Sequence, residues 1–127
     1  MIFFGTQRLL EESQRRHPRL VDLMAALDAS AQAHGWDKVV VTSMLRTAAE
    51  NKAAKAKTRI HCEDPIRAAD SRTRDVDDEI VATVGHELNT TWLFDPFQPG
   101  KPVAYWEPHG TGPHLHLQIT PRTRRVP

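Results

Sequence analysis

The segment Pro113-His114-Leu115-His116-Leu117-Gln118-Ile119 sets two imidazoles two residues apart, with Leu115, Leu117 and Ile119 at the alternate positions. That is the period of a β-strand with one apolar face for a core and one face carrying both histidines. A strand is a stiff platform, and imidazole is the commonest side-chain metal ligand. Upstream, His61 adds a third imidazole. The stretch Ile66-Arg67-Ala68-Ala69-Asp70-Ser71-Arg72 adds a carboxylate on what reads as a second strand. Two histidines and one aspartate, with a coordination position left open, are the ligand count of a catalytic zinc site. Any one of these residues would be ordinary on a surface. Asp70, however, lies in a segment apt for burial, where a carboxylate needs a partner or a metal.

Three other motif readings compete. Nucleotide-hydrolysing histidine triad proteins carry His at three alternate positions of one strand, and here the third position is Gln118. A His-Glu-x-x-His zinc motif fails because His86-Glu87 is followed by Leu88, Asn89 and Thr90. A zinc finger lacks its second cysteine, since Cys62 is alone, and the same count excludes an internal disulfide.

The elements that must position these residues follow from patterning. With 127 residues, 39% hydrophobic and 26% charged, the chain reads as one globular domain spanning 1–127, its core about residues 17–120. No apolar run approaches the ~20 residues that span a bilayer. Met1 to Gln7 is too short an apolar patch for a secretory signal, so synthesis in the cytoplasm is expected. A net charge of +1 gives no strong pull toward nucleic acid, and Arg122 to Arg125 read as a solvated basic tail. No oligomeric contact is read from the sequence.

Leu20, Leu23, Met24, Leu27 and Ala31 recur at helical spacing between Pro18 and Ala33, with Gly35 just past the end. A weaker helix precedes them, over Thr6 to Arg15. Val39 to Ser43 is a β-branched run that reads as a buried strand, and Thr47 to Glu50 has the spacing of a capping box opening a helix through about Lys57. Residues 58–66 read as a polar loop and 67–72 as a strand. A third helix is expected over Asp75 to Leu88, with a stripe of Val76, Ile80, Val84 and Leu88. Thr90 to Phe94 and Lys101 to Trp106 read as strands joined by a turn, and His114 to Thr120 as the last strand. Helices first and mostly antiparallel strands later make the fold α+β.

The order Ser43-Met44-Leu45-Arg46-Thr47, then His61 to Asp70 with Arg67-Ala68-Ala69-Asp70, then His114-Leu115-His116 resembles the VanY-like D-Ala-D-Ala carboxypeptidases and phage L-alanyl-D-glutamate endolysins. These belong with the lysostaphin, D-Ala-D-Ala carboxypeptidase and Sonic hedgehog zinc fold. The likeness covers roughly residues 17–120. It implies a small, mostly antiparallel sheet with helices packed on it, Zn2+ held by His61, Asp70 and His116, and His114 as the catalytic histidine. It also implies substrate binding by Arg46 and Ser43, which match the family's Ser-Gly-Tyr-Arg segment. The implied substrate is the stem peptide of peptidoglycan, cleaved by an endolysin-type or carboxypeptidase-type enzyme acting at the bacterial wall after phage-type release. Two departures stand out. The interval from His61 to Asp70 is nine residues where the family usually has seven, and Cys62-Glu63-Asp64-Pro65 fills it, so Cys62 and Asp64 are alternative ligands. Pro113 stands where many relatives carry Glu or Asp. The general base is then His114, Glu107, or a zinc-activated water aided by one of them. A non-catalytic zinc domain of the same fold, and a phosphodiester hydrolase using the His-x-His strand, are the other readings.

Overall fold

The computed structural model describes residues 1–45, 48–53, 60, 64–107 and 112–127. The first element is one that the N-terminal apolar patch did not announce: strand β1, Ile2–Phe4, lies parallel to β2, Val39–Ser43, pairing Ile2 with Val39 and Phe4 with Val41. Between them come α1, Gln7–Glu12, and α2, Pro18–Ala33. Thr6 caps α1 by accepting the Leu9 N–H at 3.1 Å, and a 3-10 turn, Ser13–Arg15, completes the segment expected to be helical. Pro18 occupies the first turn of α2, and Gly35 at φ 88° ends it. The buried stripe is Leu20, Leu23, Met24, Leu27 and Ala31, as the spacing predicts.

Helix α3, Ala48–Ala53, covers part of the helix expected from Thr47; Thr47 itself and residues 54–59 lie outside the described residues. Strand β3, Ala68–Arg72, follows, and then α4, Asp78–Thr91. This helix begins and ends three residues later than the sequence suggests. The Val76 N–H bonds back to Thr73 O at 3.0 Å, forming a turn, and Asp77 becomes the cap. The buried face is consequently Val81, Val84, Gly85 and Leu88, while Val76 and Ile80 are only partly buried at its margin. At the far end the helix continues where a strand was expected, and there the hydroxyls of Thr90 and Thr91 both donate to Glu87 O.

Only Trp92–Leu93 remains as strand β4. It does not form a hairpin with the next strand, β5, Ala104–Glu107. Instead β4 pairs with β7, Arg124–Arg125, while β5 pairs with β6, His114–Gln118. The basic tail is therefore held against the domain, while its arginines stay exposed to solvent as expected. Arg122 grips the buried Asp95 through Nε and Nη2 at 3.1 and 2.8 Å, and Arg125 lies over the Trp92 ring.

The main sheet runs β1-β2-β3-β6-β5, mixed because β1 is parallel and the other pairs antiparallel. This is an α+β domain, and β3 and β6 are central in it. Helices α2 and α4 pack together, with α2 against β6 and α4 against β5. Ser30 of α2 and His34, which caps its C-terminal end, hydrogen-bond to Glu87 of α4, both at 2.6 Å, which holds that carboxyl below its usual range. Asn89 of α4 closes the outer edge of β5 by bonding to both N–H and C=O of Ala104 at 3.0 and 2.8 Å. Among the described residues no helix is long and apolar enough to cross a membrane.

Candidate metal centre

The alternation in β6 does what its sequence predicts. Leu115 and Leu117 are fully buried, and His114 and His116 sit on the opposite face of the sheet. Register then assembles a site across four strands. Asp70 stands opposite His116, and His116 opposite Tyr105 of β5. One step along, Arg72 stands opposite His114 and His114 opposite Glu107.

Ser43 joins this row through an irregularity. Val41 pairs with Ser71, but Ser43 pairs with Asp70, so the register of β2 on β3 shifts by one residue between them. Without the shift, period-2 alternation would keep Ser43 on the face of Val41. A bulge of this kind re-aims a side chain. It sets Ser43 beside the Asp70 row.

Asp70 is 3% exposed on a central strand, and a carboxylate so placed needs compensation. His116 Nδ1 lies 2.9 Å from Asp70 Oδ1, and His114 Nε2 lies 3.8 Å from Asp70 Oδ2. The two histidines are held differently. His114 Nδ1–H donates to the Gly112 carbonyl at 2.9 Å, because a carbonyl can only accept. His114 Nε2 is the ring nitrogen on the side facing Asp70. His114 is the more accessible of the two, its side chain 28% exposed against 15% for His116.

At His116 the ring is bracketed. Its Nε2 is 3.1 Å from Gln118 Oε1, and the Gln118 amide is itself oriented by donating from Nε2 to Pro102 O at 2.8 Å. The amide oxygen accepts, so His116 Nε2 carries the proton and donates it. Nδ1 is then the ring nitrogen that faces Asp70, 2.9 Å from its Oδ1. A carboxylate oxygen and an imidazole nitrogen are both donor types that zinc accepts.

Of the predicted site residues, the structure brings together Ser43, Asp70, Glu107, His114 and His116 on one face of one sheet. Glu107 is half-buried and makes no hydrogen bond to His114. His61, Arg46 and Cys62 lie outside the described residues. Among the described residues no group of three or more His, Cys, Asp or Glu side chains is placed to hold a metal ion. The alternative ligand Asp64 is exposed and paired with Arg15 at 2.5 Å. The backbone leading into Arg46 is anchored all the same. Leu45 N–H donates to the buried Glu12 at 3.0 Å, and Arg8 bonds Glu12, Leu45 O and Glu50 together.

Two site residues escaped sequence reasoning. Tyr105 is half exposed beside His116, and nothing local marks it because its neighbour is set by strand register. Gln118 carried a signal, since it shares the face of His114 and His116 at the next alternate position, but it reads there only as a missing third histidine. Comparison with protein-family models, curated proteins and solved structures finds no match to this chain.

Proposed function

We propose that this chain is a zinc-dependent peptidase that hydrolyses peptide bonds in the peptidoglycan stem peptide, on a Hedgehog/D-Ala-D-Ala-peptidase-like fold. The observation that carries the reading is the buried Asp70 carboxylate with His116 Nδ1 2.9 Å from its Oδ1 on two central strands, and the His114 imidazole next to them. A buried carboxylate beside an imidazole on a stiff sheet supports a metal reading.

In this reading Asp70, His116 and His61 would hold the ion. When bound, zinc supplies Lewis acidity, polarising a carbonyl and acidifying water. His114, its Nδ1–H fixed on Gly112 O, presents a basic Nε2 that takes a proton from the attacking water and returns it to the leaving amine. Glu107, across the strand from His114, is the second candidate for that transfer. Arg46 grips a substrate carboxylate or the developing oxyanion, and Ser43 lines the same row. Endopeptidase and carboxypeptidase chemistry share these roles. The wall of a bacterial cell is the place of action, consistent with the endolysin-type resemblance of the three motifs.

The test is mass spectrometry of muropeptides after zinc-loaded protein is incubated with purified walls of several chemotypes. New stem-peptide termini that a chelator suppresses are expected. Their absence on every chemotype would overturn the peptidase reading and favour a non-catalytic zinc domain.

A further inference from the structure

We infer that Gln118 is the positioning residue that commits His116 to bind the metal through Nδ1, and so sets the metal affinity of the site; this rests on the zinc reading proposed above. An unconstrained imidazole exchanges its proton between two nitrogens and can flip about χ2, so either nitrogen can meet a cation. Here the choice is removed from the ring. His116 and Gln118 are two residues apart on one strand and share its face. Gln118 Oε1 receives the Nε2–H at 3.1 Å.

The amide cannot turn over. Its own Nε2 donates to the Pro102 carbonyl at 2.8 Å, and a flip would set the amide oxygen against that carbonyl oxygen. Nor can the strand shift under it, because Gln118 N–H bonds to Val103 O at 2.9 Å and Gln118 pairs with Ala68 in β3. Nε2 is therefore committed to Gln118, and Nδ1 is the ring nitrogen that faces Asp70 Oδ1, 2.9 Å away. Metal-binding histidines commonly donate their second N–H in this way, and losing such an outer partner costs about 10–100-fold in metal affinity. Glutamine at the third alternate position of the strand is thus the device that aims His116.

The experiment measures zinc affinity by chelator competition for wild type, Gln118→Leu and Gln118→Glu, and reads the ring directly by long-range 1H–15N NMR of the zinc-loaded wild type. Wild type should show the His116 proton on Nε2. Gln118→Leu, which removes the acceptor, should bind zinc at least ~10-fold more weakly. Gln118→Glu keeps an acceptor for Nε2–H but sets its second oxygen against Pro102 O, so its affinity should fall between those of Gln118→Leu and wild type, an order that a merely packing role for Gln118 would not require. A His116 proton on Nδ1 in the zinc-loaded wild type would overturn the inference without any variant having to fold. Equal affinity of Gln118→Leu and wild type would overturn it as well. Wild type that takes up no zinc is a separate failure, of the proposed function itself, and it removes this inference too.

Discussion

The two faces of the β3–β6 pair are written in alternate residues of the same strands and behave as different materials. On the helix side Leu115, Leu117 and Ala69 are closed off from solvent, and what matters there is volume. On the other side Asp70, His114, His116 and Gln118 are partly accessible or buried as polar groups, and what matters is the direction of each hydrogen bond. A one-residue slip of β6 on β3 would exchange the faces, putting imidazoles into the core and leucines at the site. The pairing of all five positions from Ala68–Gln118 to Arg72–His114 shows no such irregularity. The bulge occurs instead between β2 and β3, where it brings Ser43 over to the polar side. Within one sheet, then, the core face fixes the register and the polar face makes use of it.

The sharpest way to break that division is Asp70→Ala. It should leave the leucine face intact and abolish both zinc retention and turnover, because it removes one of the two facing donors. Metal analysis of the purified variant decides this; full zinc content would mean that another carboxylate, with Asp64 first in line, is the ligand. Next in size is His114→Ala, expected to lower turnover by ~10^2–10^4-fold while most of the zinc stays in place. If that variant is purified empty of zinc, the roles of His114 and His116 are to be exchanged.

Leu117→Ala tests the opposite face. With Leu117 fully buried, the loss should be about 2–5 kcal/mol of stability, seen as a lower Tm, with unchanged zinc stoichiometry in the protein that remains folded. The smallest effect is expected at the docked tail. Arg122, together with the Phe97 N–H, holds the Asp95 carboxyl at about 2, down from 3.8. A carboxyl whose folded pKa is depressed stabilises above its unfolded value. That contribution is lost as pH falls through the folded one. Wild type should therefore have a higher Tm than Asp95→Asn at pH 5, and the gap should close between about pH 4 and pH 2. A gap that persists unchanged at pH 2 would show that the Asp95 charge is not what pins the tail.

Much of this molecule could be read locally. The bounds of α2 and β2 and the two-faced β6 follow from apolar periods of 3.6 and 2 and from Pro and Gly at the helix ends. These patterns need only a chain and a core. The types of the site residues were legible for the same reason, since His, Asp and alternation are all written in the sequence. What tertiary structure alone decided is partner choice. Neither the pairing of β1 with β2 nor that of the two-residue β4 with β7 has a local signature, because a short strand is stabilised by whatever edge it meets. The start of α4 was moved by a turn bond from Val76 to Thr73 that competes with the helix. The orientation of His116 depends on an amide two residues away whose own direction is set by a carbonyl sixteen residues before it. Sequence determined which groups lie on each face; only the packed sheet determined which partner each of them meets, because hydrogen-bond partners are neighbours brought together by folding.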